Sequence, residues 1–338
     1  MTDGIRTPEF GRRRAVGTTL ADLVHITPSA RPAAPVVVTA RHAGITLTAW
    51  LKANAEAVEI HLHQVGAVLC RGFAVGSAED FAEVVAAADD ELLDYVYGST
   101  PRSRELDKVY TSTEYPADQT IAQHNELSYA TSWPAKLWFC CLVPAAEGGQ
   151  TPLADSRRVL ERIPPEVRER FERHGVMYTR EYGTGVDLTW QQTFETADRG
   201  TVERFCAENG IRTEWGPHDT LRTTQVCQAV AEHPLTGERV WFNQAHLFHP
   251  SILPPDVRAS LASSRAGLSR DVCYGDGTPI DDAELEEVRR AYEAETHSFD
   301  WAVGDVLIVD NILVAHGRRP YRGSRRVLVA MSGTTRGN

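Results

Sequence analysis

Gln123-His124-Asn125-Glu126-Leu127-Ser128-Tyr129 places an imidazole and a carboxylate two residues apart in a stretch that reads as extended. Side chains alternate faces along a strand, so this spacing predicts His124 and Glu126 on the same side. Two His and one carboxylate on one face of a first-row metal leave the opposite positions open for substrate, cosubstrate or dioxygen. A second His is therefore required. The best candidate is His316, in Asp310-Asn311-Ile312-Leu313-Val314-Ala315-His316-Gly317-Arg318, which follows a run that reads as a strand and tight turn.

Outward from this pair, the chain opens as α, β, α. A helical pattern through Leu47, Trp50, Leu51, Val58 and Leu62 ends at Gly66, a buried strand covers Ala67 to Phe73, and Ser77-Ala78-Glu79-Asp80 resembles a capped helix start. From Val109 onward, short apolar runs separated by Pro, Gly and polar turns predict strands, with Lys136 to Val143 the clearest. Helical inserts are expected at about 165–174, 199–209, 255–265 and 282–295, and late strands at 240–243, 305–309 and 326–331. Strands carrying helical inserts without parallel strand–helix alternation favour a mainly β fold with a double-stranded β-helix (jelly-roll) core. Residues 1–35, rich in Arg, Pro and Thr, read as an N-terminal arm, and 36–338 as one domain.

Composition narrows the function classes. A 42% hydrophobic and 24% charged chain is ordinary for a globular protein, and no apolar run approaches a membrane span. The N-terminus shows no apolar signal core, so a cytoplasmic location is expected. A net charge of −11 argues against nucleic acid or an anionic membrane as partner. Local basic stretches are Arg12-Arg13-Arg14 and the Arg157 to Arg173 segment, read first as solvated faces. Six cysteines without C-x-x-C spacing suggest buried, reduced thiols.

Further features support the metal reading. Gly148-Gly149-Gln150-Thr151-Pro152-Leu153-Ala154-Asp155-Ser156-Arg157 offers a threonine hydroxyl for a carboxylate, and one guanidinium of Arg325-Arg326 could clamp a dicarboxylate. Together with Arg71-Gly72-Phe73, these motifs resemble the taurine dioxygenase superfamily of iron(II)/2-oxoglutarate oxygenases. Tyr110 to Pro116 and Val240 to Gln244 are most similar to the subgroup of the syringomycin-pathway aspartyl hydroxylase. The resemblance runs from about residue 60 to residue 333.

That resemblance implies His124, Glu126 and His316 as ligands of Fe(II), with Thr151 and either Arg325 or Arg326 holding the cosubstrate 2-oxoglutarate, and O2 as oxidant. It implies oxidative decarboxylation coupled to hydroxylation, or another oxidation, of an unactivated carbon. Glu126 fills the position that related halogenases leave to chloride. The expected substrate is an amino-acid-derived small molecule, free or tethered to a peptidyl carrier protein, as in antibiotic biosynthesis. Val329 and Ala330 stand where the sulfonate-binding Arg of taurine dioxygenase would fall, and Arg180 or Arg222 remain as partners for a free amino acid. Asn125, Tyr129, Trp190 and Asn243 are candidate substrate-pocket walls, and Tyr182 to Leu188 a candidate lid. Competing readings are a zinc-dependent hydrolase, which uses a similar open donor set, and a non-catalytic jelly-roll binding protein. Oligomeric state has no signature in the sequence.

Overall fold

A computed structural model describes residues 23–337 apart from 43, 90, 101, 113–114, 186 and 264–267. Its largest sheet runs, in spatial order, through Val24–Thr27, Val36–Ala40, Ala67–Arg71, Val306–Asp310, Ser132–Val143, Arg326–Arg336, Val109–Thr111 and Arg104–Leu106. Most neighbours are antiparallel; Val36–Ala40 and Ala67–Arg71, joined through the helix Leu47–Val65, are parallel. A three-stranded sheet of Ile121–His124, Val314–Arg318 and Leu153–Asp155 lies against it. The two sheets are the expected jelly-roll walls.

Alternation along the long strands sets what each face covers. Trp138 and Cys140, with Ile308 and Leu328, pack under the N-terminal helices. Leu137, Phe139 and Cys141, with Leu307 and Val329, face the smaller sheet. The adjacent cysteines therefore point to opposite cores, and all six thiols are free. Helix Leu47–Val65 buries Leu47, Trp50, Leu51, Val58 and Leu62, the predicted stripe, each of which stabilises by about 1.5–3 kcal/mol. It stops at Gly66, whose φ of 79° suits glycine and whose N–H bonds the Leu62 carbonyl. The helix Ala78–Ala88 starts with the expected reciprocal cap of Ser77 and Asp80.

The long insert forms a further sheet ordered Arg212–Trp215, Leu221–Cys227, Val176–Tyr182 and Arg270–Tyr274. The apolar stripe of Val176, Tyr178 and Tyr182 packs with Val159, Phe171 and Leu285 from the surrounding helices. None of these four strands was expected from the sequence, because their alternating exposed Thr, Arg and Glu read as polar connections.

Arg12 to Arg14 and the rest of 1–22 lie outside the described residues. The remainder of the expected arm is not free: Val24–Thr27 pairs antiparallel with Val36–Ala40. Among the described residues no helix is long and apolar enough to cross a membrane.

Candidate active site

The facing strands Ile121–His124 and Val314–Arg318 bring the two histidines together. His124 and His316 are direct cross-strand partners, with ring centroids 4.6 Å apart. Gly317 allows this approach, since a Cβ there would lie 2.5 Å from the Ile121 carbonyl oxygen. Phe139 from the opposite sheet closes the floor 5.1 Å from the His316 ring.

Glu126 arrives differently from the sequence expectation. The strand ends at His124, and residues 125–128 turn, with Leu127 at φ 58°. Asn311 supplies the missing constraint. Its Oδ1 accepts from the Glu126 N–H at 2.7 Å, and its Nδ2 donates to the carbonyls of Glu126 at 3.0 Å and Pro134 at 2.8 Å. Asn311 is in turn set by Asp310, whose Oδ1 accepts from the N–H groups of Ile312 and Leu313 and whose Oδ2 accepts from His233 Nε2. Strand pairing thus places the imidazoles, and a side-chain clamp places the carboxylate.

One donor atom from each of His124, Glu126 and His316 falls in a group whose members are all within 4.8 Å of one another. His124 Nδ1 donates to the Ala122 carbonyl at 2.9 Å, leaving Nε2 with its lone pair for a metal. Burial holds the His124 pKa below its ordinary value; burial, and then the charges of His124 and Arg102, hold that of His316 well below. Neutral imidazoles beside a carboxylate form a donor set that fits ferrous iron.

The same cavity is lined by Arg102, Ser112, Thr151, Arg318 and Arg325. Thr151 Oγ1 accepts from Trp301 Nε1 at 3.0 Å, so its own O–H remains free to donate. Arg325 Nε donates to the Gly149 carbonyl at 3.0 Å and its NH1 to Ser112 Oγ at 3.2 Å, with no carboxylate partner among the described residues. Burial first, and then the charge of Arg318, push its pKa down to about 10, the signature of an uncompensated buried cation. Arg318 is held by the carbonyls of Tyr115, Pro116 and Gln119.

Several expected site residues lie elsewhere. Arg326 is exposed and pairs with Glu105 at 2.8 Å, because its place on the strand turns it away from Arg325. Asn125 is fully buried, with Nδ2 donating to Ser156 Oγ and to the carbonyls of Asn311 and Ile312. Tyr129 bonds the Tyr97 carbonyl inside the insert core. Trp190 bonds the Asp219 carbonyl and packs on Trp215. Asn243 braces the turn after its strand through the Ala229 carbonyl and the Ala245 N–H. None of these four lines the cavity. Arg180 is buried among Tyr97, Tyr129 and Tyr182, and Arg222 pairs with Glu181 at the surface.

Arg102, which the sequence reading passed over, has its side chain 3% exposed and its NH2 2.6 Å from Glu126 Oε2. A lone Arg in a Pro-Arg-Ser loop carries no spacing signal. The other close donor group, His63, His233 and Asp310, does not suit a metal. His233 Nδ1 accepts from the N–H groups of Leu235 and Thr236, and its Nε2 donates to Asp310, so both ring nitrogens are engaged.

The family model for the taurine catabolism dioxygenase TauD, TfdA family matches residues 27–332. The chain belongs to that family. It is accordingly an iron(II)/2-oxoglutarate-dependent dioxygenase, with Fe(II), 2-oxoglutarate and O2 as its cofactor and cosubstrates. It is 42% identical over 272 residues to the dapdiamide synthesis protein DdaC of Enterobacter agglomerans, covering 80% of this chain and 83% of that one. It is 33% identical over 294 residues to a clavaminate synthase-like protein of Arabidopsis thaliana, covering 84% and 86%. Among solved structures, PvcB of Pseudomonas aeruginosa aligns over 97% of this chain and 95% of that one, with a TM-score of 0.54 at 14% identity. A taurine dioxygenase from Burkholderia xenovorans aligns over 94% and 92%, with a TM-score of 0.53 at 18% identity. The structural likenesses establish the shared jelly-roll fold. Family membership sets aside the hydrolase and non-catalytic readings.

Proposed function

We propose that His124, Glu126 and His316 hold the ferrous ion, that Thr151 and Arg325 hold 2-oxoglutarate, and that the enzyme oxidises an unactivated carbon of an amino-acid-derived substrate. The observation that carries this reading is the convergence, on one cavity between the sheets, of a two-His, one-carboxylate group with an unpaired buried guanidinium. Bound iron and 2-oxoglutarate supply oxygen activation coupled to decarboxylation. This chain's own residues bind and orient. Arg325 would pair with the distal carboxylate of 2-oxoglutarate, the Thr151 hydroxyl would donate to one of its carboxylates, and Phe139, Val327 and Val329 give the cavity apolar walls.

A wider cleft of about 470 Å³ is the route proposed for substrate. Tyr115 and Gln119 in its wall hold Arg318 through their carbonyls, and Phe248 and Leu253 make part of it apolar. Asp187, from the segment expected as a lid, lines it and is ion-paired to Arg270. That pair ties Asp187 to the strand Arg270–Tyr274.

Delivery on a carrier protein receives little support from the surface. In the Arg157 to Arg173 segment, Arg157 pairs with Asp155 and Glu238, Arg158 with Glu161, Arg162 with Glu295, Arg168 with Glu172 and Arg170 with Glu284. With five of its six arginines so paired, the segment offers an acidic carrier little attraction. A free small-molecule substrate is the better fit, with biosynthesis of an amino-acid-derived metabolite as the context that the likeness to DdaC favours.

The test is anaerobic titration of the apo-protein with ferrous iron and then 2-oxoglutarate, following the weak visible charge-transfer band of an iron-chelated keto acid. The band should form in the wild type and be absent in His316→Ala and Glu126→Ala. No band in an iron-loaded wild type would overturn the assignment.

A further inference from the structure

Arg102 is the residue at this site that neither the metal nor the cosubstrate explains. Its side chain is 3% exposed, and its guanidinium sits 4.1 Å above the Tyr95 ring, which fixes its plane. One nitrogen, NH2, is engaged by Glu126 Oε2. The other two, Nε and NH1, are buried with no acceptor among the described residues. A buried guanidinium with two donors unsatisfied is costly by itself, and a structural strut for Glu126 would not need a five-donor fork to supply one bond.

Position adds a second, independent argument. Arg102 lines the metal cavity, while Ser99 and Thr100, just before it in the chain, line the substrate cleft. It is thus a cavity residue two positions along the chain from the cleft wall. Arg325 is held by Ser112 and the Gly149 carbonyl and Arg102 by Glu126, so the two guanidinium groups share no partner among the described residues. The other cations of the cleft region are occupied: Arg270 by Asp187 and the Ser99 carbonyl, and Arg318 by three carbonyls.

We infer that Arg102 is a substrate-recognition residue whose free NH1 donates to a carboxylate on the substrate. The enzyme thus selects an acid over the corresponding ester or amide. The inference rests on the iron and 2-oxoglutarate assignment above and specifies the substrate class for that same site. Because NH2 remains on Glu126, a bound substrate carboxylate and the metal carboxylate share one guanidinium, which ties the substrate's position to the metal.

The experiment uses the full chain loaded with Co(II) and saturating 2-oxoglutarate, a complex that does not turn over and whose visible spectrum reports its surroundings. It is titrated with butyrate and with butyramide, a pair of nearly equal shape that differ in charge. The wild type should bind butyrate at least about tenfold more tightly, the discrimination expected of one charge-assisted hydrogen bond. Arg102→Gln should abolish that preference, and Arg102→Lys, which keeps the charge, should restore part of it. Equal binding of acid and amide by the wild type would overturn the inference. So would a preference that survives Arg102→Gln alongside weakened cobalt binding, the result for a residue that only braces Glu126. Loss of 2-oxoglutarate binding in Arg102→Gln would assign the residue to the cosubstrate instead. Failure of the wild type to form the cobalt–2-oxoglutarate complex would count against the site assignment itself, and so is distinguishable from failure of the Arg102 inference.

Discussion

Replacing Asn311 with Asp tests whether the metal carboxylate is placed by a clamp on its backbone. Asn311 is fully buried, and the substitution keeps its volume and the bond from the Glu126 N–H. It also sets a carboxyl oxygen against the Glu126 and Pro134 carbonyls, where an amide now donates at 3.0 and 2.8 Å. Each buried carbonyl left unpaired costs about 1–3 kcal/mol, so the two together cost about 2–6 kcal/mol. That is a large share of the stability of a typical domain, about 5–15 kcal/mol. Protonation of the new side chain restores one donor, so the loss should be smaller at about pH 5 than at about pH 8. With the Glu126 backbone released, metal affinity should fall about 10- to 100-fold, as for other groups that orient ligands. Guanidinium unfolding measures the first effect, and Co(II) titration of protein shown to be folded by circular dichroism measures the second. Cobalt affinity within about twofold of wild type in Asn311→Asp would refute the clamp.

The other predictions separate cosubstrate, strand register and acid stability. Arg325→Met should raise the dissociation constant for 2-oxoglutarate about 10- to 100-fold by removing charge-assisted bonds, whereas Arg326→Ala should leave it within about twofold; equal effects in anaerobic titrations would contradict the assignment of the buried Arg. Gly317→Ala would bring a Cβ to 2.5 Å from the Ile121 carbonyl and push apart the strands that carry His124 and His316. It should lower both thermal stability and cobalt affinity, and unchanged cobalt affinity would show that the register tolerates the methyl group. His246 is buried against Tyr292 with Nε2 donating to the Gln123 carbonyl, and burial, opposed by that bond, pushes its pKa down to about 3. Unfolded His takes up its proton near pH 6.5, so stability is intact above that pH and is lost as the pH falls toward 3. At about pH 4.5 the loss is about 3 kcal/mol. His246→Gln should flatten this acid limb in urea unfolding, and an equally steep limb in the variant would exclude His246 as its cause.

How much of this was legible in the sequence depended on whether a residue's role was local. The N-terminal helices read correctly because their apolar stripes and caps are encoded within a few residues, at Leu47 to Gly66 and at Ser77 with Asp80. The insert sheet was missed because its strands expose alternate polar residues, and burial of Tyr178 and Tyr182 depends on helices elsewhere in the chain. The two histidines were paired through motifs nearly two hundred residues apart. The geometry expected at Glu126 was wrong in kind: the strand stops two residues earlier, at His124, and Asn311 does the placing. Asn125, Tyr129, Trp190 and Asn243 were expected in the pocket because they neighbour motif residues or the supposed barrel mouth. Proximity in sequence does not say which way a side chain points once the chain turns. Arg102 shows the converse, since only the folded loop reveals that a guanidinium 24 residues before Glu126 meets its carboxylate.

The charge around the cavity explains why the proposed ligands belong together. Arg102, Arg318 and Arg325 line it, Glu126 is the carboxylate grouped with its two histidines, and burial keeps His124 and His316 neutral. A divalent cation entering alone adds to an already positive field. On the proposed assignment, a dicarboxylate on Arg325 would remove two positive charges' worth of repulsion, so metal and cosubstrate would each favour the other's binding through linkage. A hydrolytic metal centre would gain nothing from an unpaired guanidinium beside a free threonine hydroxyl, but a site that must hold an anion next to its metal requires both. Arg102 extends the same logic to the third participant. With its plane set by Tyr95, NH2 on Glu126 and NH1 free, it would on the proposed assignment neutralise a substrate anion beside the metal carboxylate, so the charge that admits the substrate would also set its distance from the metal.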